Sequence, residues 1–346
     1  MSEEIVVAVS GINAVDNPGP GLGVIRSLKE DSSLKIKAIG LAYDAMEPGI
    51  YLDWLVDKSF IMPYPSSSEE DYLARLFYIK DVTGLQVVIP TLDAELPLFI
   101  KGEQELKSKG IETFLPTWEQ FELRSKQRLI EMAPRLGLSV PPTEQVSSYS
   151  DLLKALDRIG FPAMVKGLFY KAYRVHTFAE AEGAFYKIVE EWGYPVLVQK
   201  VIQGEELNVV GVGDGEGGSL GMMAIKKLWI TSLGKIWTGV TIKHEVLLES
   251  SQKFLRETGW RGAFELECIA TDDRIYLIEI NPRFPAWLYF ATGAGINLPA
   301  RLVKKVLGQP VETHSEYEAG RLYIRYTYDL VTDMDVFQKI VTRGET

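Results

Sequence analysis

The chain has 346 residues and a formal charge of −10, with 47 acidic against 37 basic side chains, a balance that argues against broad nucleic-acid binding, which needs a basic surface. One cysteine, Cys268, excludes an internal disulfide framework and a Cys-rich zinc site, and three histidines give little basis for a histidine metal centre. No apolar run reaches bilayer-spanning length and no secretory leader precedes Ile5–Val9, so the expectation is a cytoplasmic protein without a membrane partner.

The N-terminal part alternates strand and helix signals. Ile5–Val9 is a short apolar run, followed by a loop rich in Gly, Asn and Pro from Gly11 to Gly23 and a helical stretch near Val24–Lys29. Ile36–Leu41 ends at Tyr43-Asp44, and Val87–Pro90 ends at Thr91-Leu92-Asp93-Ala94-Glu95. Strands separated by helical lengths predict right-handed crossovers and a parallel sheet, whose ligands bind beyond the carboxyl ends of the strands. Asp44, Asp93 and Glu95 fall at that edge; Asp93 reads equally as a helix cap or a substrate contact.

A boundary falls near Pro116–Gln127. Glu119–Leu136 is helical in pattern, with Pro134 bending or ending it. Tyr149–Ile159 is a further helix, Phe161–Lys166 a strand ending in a lysine, and Phe178–Trp192 a helix with Ala181, Phe185, Ile188 and Val189 at helical spacing. The strand Pro195–Ile202 follows, and from Leu207 to Val246 successive strands with Gly turns take over. Gly213–Gly218 satisfies a dinucleotide-type Gly pattern, but another strand-like run follows instead of a helix, so it reads as a hairpin loop.

The most informative stretch is Arg274–Arg283, preceded by Phe264-Glu265-Leu266-Glu267. In a strand, residues i and i+2 share a face, so Glu279 and Asn281 point one way and Ile278 and Ile280 the other. Asp272-Asp273 is a turn signal, making a hairpin the natural geometry and letting Glu267 converge with Glu279 and Asn281. Hard oxygen ligands suit Mg²⁺, which keeps part of its water shell and bridges substrate phosphates. Arg283, just beyond, is placed to meet a transferring phosphoryl group; the competing reading is an edge hairpin with a solvated acidic face.

The order Lys126, Lys166, Val198–Glu206, Glu267, Glu279 and Asn281 resembles the ATP-grasp superfamily, and within it the carbamoyl-phosphate-synthase-like branch of carboxylate–amine ligases. The resemblance implies an α/β fold with an α+β C-terminal part. Residues 1–117 would form a parallel α/β pre-grasp domain, 118–203 the ATP-grasp lid subdomain, and 204–346 an antiparallel-sheet subdomain with the metal site. It implies that Lys126 and Lys166 contact nucleotide phosphates, Lys166 also lying near the adenine. Gln199, Lys200 and Ile202 match the hinge, where Lys200 and Ile202 would read the adenine edge through backbone groups. Glu206 matches the acid that holds the ribose hydroxyls, with Glu205 an adjacent competitor. Glu267, Glu279 and Asn281 would hold Mg²⁺, with Mn²⁺ as a substitute, and Arg283 would be the catalytic cation.

One departure is that the family's glycine-rich lid loop is here the bulky Gly167–Arg174, in which Lys171 or Arg174 would supply charge. Lys226, Lys227 and Lys243 remain equal candidates for a further phosphate contact. The implied reaction is ligation through an acyl phosphate: a carboxylate attacks the γ-phosphorus of ATP, ADP leaves, and an amine displaces phosphate to give an amide. Closure of the subdomains would keep water from that intermediate. The implied partners are a small-molecule carboxylate and amine, with a homodimer the family's usual assembly. Carbamoyl-phosphate-type or carboxylase chemistry on the same fold, and a non-catalytic nucleotide-binding protein, are the competing readings. The aromatics of Phe284–Phe290 suit core packing better than a substrate pocket.

Overall fold

The computed structural model describes residues 4–14, 18–168, 171–231, 234–313 and 316–346. The chain divides into two compact units: Met1–Arg124 with Leu207–Glu267 and Ile280–Thr346, and Ser125–Glu206 with Cys268–Glu279. Among the described residues there are three sheets: a four-stranded one in the first unit, a four-stranded one in the second, and a six-stranded one whose strands 205–214, 261–270 and 275–281 contribute residues to both.

In the first unit β1 (Glu4–Val9), β2 (Lys35–Ala42), β3 (Lys58–Ile61) and β4 (Val87–Ile89) form a parallel sheet in the order β3-β2-β1-β4. Alternate residues of β1 enter different cores. Val7 and Val9 pack with Val24, Ile25 and Leu28 of the helix Pro20–Glu30, while Val6 and Ala8 pack with Tyr72, Leu76 and Ile79 of the helix Glu69–Thr83. Burial on both faces is why these strands read as unbroken apolar runs. The turn after β1 is tight: a Cβ on Gly21 would fall 2.1 Å from Ser10 O, so the helix can start this close to the strand only with glycine there. The short strand β3 has no counterpart in the sequence reading.

The second unit packs β5 (Thr143–Val146), β6 (Ala163–Lys166), β7 (Ala172–Val175) and β8 (Val196–Lys200) in the order β5-β8-β6-β7, all antiparallel. Helices Tyr149–Ile159 and Phe178–Trp192 bury Leu152, Leu156, Phe185 and Ile188 against Val165, Val196 and Val198. Both helices have the bounds read from sequence. The helix expected over Glu119–Leu136 is instead two short ones, Trp118–Glu122 and Lys126–Met132. Thr117 and Gln120 form a reciprocal capping box on the first, and the intervening residues break the periodic run before Pro134 is reached.

The six-stranded sheet continues with β9 (Glu205–Asp214), β10 (Ser219–Ile230), β11 (Ile236–Ile242), β12 (Arg261–Ala270), β13 (Ile275–Asn281) and β14 (Leu322–Ile324), in the order β13-β12-β9-β10-β11-β14. β9 and β10 are a hairpin whose turn is the glycine-rich Gly215–Gly218, and Asp214 closes it by accepting from Glu216 N and Gly218 N. Among the described residues no helix is long and apolar enough to cross a membrane.

Candidate functional site

The site is built on the first unit's lengths of β9, β10, β12 and β13. On β12 the period of two puts Glu265 and Glu267 on one face, while Phe264 and Leu266 enter the core. Asn281, the last residue of β13, donates Nδ2 to Glu265 Oε2 and to Glu267 Oε1, each at 3.0 Å. Asn208 of β9 donates Nδ2 to Glu265 Oε1 at 2.7 Å, and Trp287 donates Nε1 to the same oxygen at 2.7 Å. Glu265 is thus a buried carboxylate with three neutral donors, and Asn208 Oδ1 is buried with no hydrogen-bond partner among the described residues.

Two cations face this cluster. Lys227 of β10, its side chain only 7% exposed, lies with Nζ 3.1 Å from Glu267 Oε2. Arg283 donates Nη2 to Asn281 Oδ1 at 3.4 Å and is fixed by Asp93, whose Oδ2 accepts from both Nε and Nη2 at 2.9 Å. These charges separate two carboxylates that share one face. Burial, then the neighbouring Glu267, push Glu265 up to about 7. Burial pushes Glu267 up as well, but Lys227, Arg283 and Asn281 outweigh it and hold Glu267 below its ordinary value. Of the pair, Glu267 is the member held charged by its neighbours.

The donor chemistry fits Mg²⁺. The Glu267 carboxylate and the Asn281 amide oxygen are hard ligands, and the Asn208 oxygen, without a hydrogen-bond partner among the described residues, is an acceptor in a buried place where such an atom is costly to leave bare. Among the described residues no group of three or more acidic, histidine or cysteine side chains is gathered tightly enough to hold a metal by itself. An ion that keeps waters and phosphate oxygens in its shell suits that partial set better than a closed protein cage.

Of the sequence-predicted residues, Glu267, Asn281 and Arg283 come together in this cluster. Glu279, two residues before Asn281 on β13, is exposed and belongs to the second unit. Ile280 is buried as expected, but Ile278 only half so. Lys126 opens its helix and donates Nζ to Ile278 O at 2.7 Å, within the second unit. Lys166 ends β6, half-buried. Gln199 is buried and donates Nε2 to Thr143 Oγ1 at 2.7 Å. Lys200 is exposed, its amide taken by Pro142 O at 2.9 Å. Lys200 and Ile202, with Phe161, Pro162, Gln203 and Tyr276, line an open cavity of about 330 Å³ in the second unit. Glu206 is half-buried and Glu205 exposed at the start of β9.

Of the three lysines left open on the strands, Lys227 lies against an acid of the cluster; Lys243 is exposed, with Nζ 5.8 Å from the Tyr317 ring centre. In the lid segment Phe169 and Tyr170 lie outside the described residues. Lys171 takes a left-handed conformation, φ 66°, accepts from Gly167 N at 3.1 Å and lies 3.8 Å from Glu191. Arg174 is exposed on β7.

Glu265, Asn208, Trp287 and the Asp93 partnership were not anticipated from sequence. Glu265 carried a signal, its spacing of two from Glu267, and Asn208 carried another, a polar residue inside an apolar strand. Asp93 caps no helix; Glu95 closes that turn instead, accepting from Thr91 N and Leu92 N at 3.0 Å each. Glu95 also accepts from Ser10 Oγ and, on its other oxygen, from Tyr43 OH at 2.5 Å and Tyr72 OH at 3.3 Å. Phe284, Trp287 and Phe290 are buried in the core.

Known proteins resemble this chain in sequence and in fold. The sequence model of the family described as ATP-grasp in the biosynthetic pathway with Ter operon matches residues 194–327. The carbamoyl phosphate synthase large chain of Thermotoga neapolitana is 23% identical over 291 residues, 74% of this chain and 25% of that protein. The chain thus spans no more than a quarter of the curated large chains it matches. Among solved structures, the biotin carboxylase domain dimer of Hydrogenobacter thermophilus 2-oxoglutarate carboxylase, in complex with MgADP, ADP and bicarbonate, aligns with a TM-score of 0.68 at 18% identity, covering 92% of this chain and 73% of that one. The L-amino acid ligase of Bacillus licheniformis aligns with a TM-score of 0.65 at 16% identity, covering 89% and 75%.

Proposed function

We propose that the chain is an ATP-grasp protein of the carbamoyl-phosphate-synthase-like branch and, within it, an ATP-dependent carboxylate–amine ligase, forming an amide through an acyl phosphate and releasing ADP and phosphate. The observation that carries the proposal is the Glu265–Glu267–Asn281 cluster faced by Lys227 and Arg283. It offers oxygen ligands and fixed cations and no activated nucleophile. Phosphoryl transfer asks a protein for that combination, positioning and charge neutralisation without covalent chemistry.

In this reading Glu267, Asn281 and Glu279 hold the Mg²⁺ that, when bound, neutralises and orients the phosphate oxygens. Lys126 and Lys166 hold the phosphates, and Gln199, Lys200, Ile202 and Glu206 hold the nucleoside. Because the Lys200 amide is already spent on Pro142, a base read through the Lys200 backbone would meet its carbonyl. Lys227 keeps Glu267 charged, and Arg283, steadied by Asp93, meets the transferring phosphoryl group. The substrates are small molecules selected by the loops of residues 1–117; residues 118–203 serve as the lid and 204–346 carry the metal residues.

The relatives favour one rival. Carbamoyl phosphate synthase is the recurrent relative, and one structural neighbour holds bicarbonate, so bicarbonate as the activated carboxylate is the second reading. A single assay separates them: ADP release by the pure chain with MgATP, against amino acids and small carboxylates paired with amines, and against bicarbonate. Release that needs both a carboxylate and an amine supports ligation; release driven by bicarbonate alone supports the rival; release with neither, at any metal concentration, counts against both. Lys166→Ala should weaken nucleotide binding by about tenfold, the order of one charge-assisted contact, as read by calorimetry.

A further inference from the structure

Three donors converge on Glu265, the member of the cluster to which the ligase reading gives neither metal nor substrate. A carboxylate only accepts, so each asparagine facing it must present its NH₂. Asn281 turns Nδ2 to Glu265 Oε2 and Glu267 Oε1, and Asn208 turns Nδ2 to Glu265 Oε1. The amide oxygens are thereby turned away from Glu265. Asn281 Oδ1 is left with a long 3.4 Å contact to Arg283, and Asn208 Oδ1 with no hydrogen-bond partner although Asn208 is only 1% exposed. Trp287, buried in the core, fixes the carboxylate itself at 2.7 Å.

We propose that Glu265 is a positioning residue, anchored by Trp287, that orients the amides of Asn281 and Asn208 so that both oxygens are presented to a divalent cation, Asn208 becoming a further cation-facing residue, directly or through a bound water. The inference rests on the metal reading above. Asn281 is held by two carboxylates and Asn208 by one, so Asn208 depends on Glu265 more completely. Outer partners of this kind are typically worth about 10–100-fold in metal affinity.

The test is Mn²⁺ binding, read by electron paramagnetic resonance with and without ADP, on wild type, Glu265→Gln, and the double variant Glu265→Gln/Asn281→Asp. The glutamine of the single variant offers one acceptor oxygen and an NH₂, so it no longer dictates both amides; affinity should fall about 10–100-fold with the melting curve still cooperative. The double variant exchanges carboxylate and amide between neighbouring positions at unchanged charge. The aspartate introduced on β13 has oxygen on both arms and needs no orienting, so affinity should return to within about fivefold of wild type. A merely structural Glu265 predicts no such rescue. Wild-type affinity in Glu265→Gln, or failed rescue in a folded double variant, overturns the inference and leaves the ligase reading standing. Failure of wild type to bind Mn²⁺ under any condition overturns both. Should Glu265→Gln not fold, the double variant alone decides, by the same fivefold criterion.

Discussion

Two buried glutamates of the first unit invite comparison. Glu95 and Glu265 are both shut away from solvent, both meet several neutral donors, and in both burial raises the carboxyl above its ordinary range. They differ in what lies beyond those donors. Around Glu95 are hydroxyls and backbone amides: Ser10, Tyr43, Tyr72, Thr91 and Leu92 tie together the ends of β1, β2 and β4. Beside Glu265 stand a second carboxylate, Glu267, and the cations Lys227 and Arg283. A saturated carboxylate ringed by neutral donors staples backbone in place. A carboxylate pair that needs cations to coexist has charge to offer a ligand.

The largest effect should come from the charged cluster. Under the ligase reading, Glu267→Gln or Asn281→Ala should lower turnover by on the order of 1,000-fold, the several kcal/mol a correctly held metal contributes, in a protein that still melts cooperatively. Steady-state ADP release against Mg²⁺ concentration checks this. Full activity in either variant would place Glu267 and Asn281 with Glu95, as structure.

Next is the Lys227–Glu267 pair. Removing one partner of a fully buried pair costs about 3–5 kcal/mol; Glu267 is partly exposed, so Lys227→Met should cost about 2 kcal/mol. Urea unfolding of both single variants and the double variant measures the coupling. Stability in the double variant close to wild type would show that the pair is kept for charge placement. A double variant as unstable as the sum of the singles would mean Lys227 acts through packing alone.

Much of this architecture was legible in the chain, for reasons that also explain the omissions. The runs at β1, β2 and β4 stand out because both faces are buried and nothing polar interrupts them. Glu267 and Asn281 are visible because a strand repeats every two residues and a turn signal joins two such runs. Asn208 is visible as an oddity but cannot be given a partner, since β9 lies beside β12 only once the sheet order is known, more than fifty residues apart in the chain. Asp93 failed similarly: next to a helix start an aspartate looks like a cap, and its tie to Arg283 spans 190 residues. The break between Glu122 and Lys126 was hidden by good helix formers on both sides.

A smaller effect tests Glu95 itself. A glutamine at that position supplies one acceptor oxygen and an NH₂ to a site offering five donors, so at least one buried donor loses its partner. Glu95→Gln should cost about 2 kcal/mol in denaturant unfolding. Its turn carries Asp93, which pairs with Arg283, so some loss of turnover should follow, but less than about tenfold, or about 1.4 kcal/mol. A loss matching that of Glu267→Gln in a folded protein would erase the distinction between the two glutamates.

The smallest effect is a slope. Glu47 is buried beside the Glu95 cluster, accepts from Tyr43 N at 2.8 Å on one oxygen and has no hydrogen-bond partner on the other. Burial pushes its carboxyl up to about 7, against the backbone hydrogen bonds from Tyr43 and Asp44, with the charges of Asp44 and Glu95 adding to the rise. A raised carboxyl binds its proton more tightly folded than unfolded. Its contribution is therefore fully present below the ordinary glutamate value of 4.5 and is lost as pH rises through about 7. Melting temperature should fall over that window in wild type, and Glu47→Gln should flatten the fall by at most about one proton's worth, roughly 1.4 kcal/mol per pH unit. Glu265 titrates over a similar range, so wild type alone cannot apportion the slope; the difference between wild type and Glu47→Gln does. An unchanged slope would mean that Glu47 stays ionised on folding, and that the end of β2 accommodates a bare charge which the Glu265 cluster holds only with two cations.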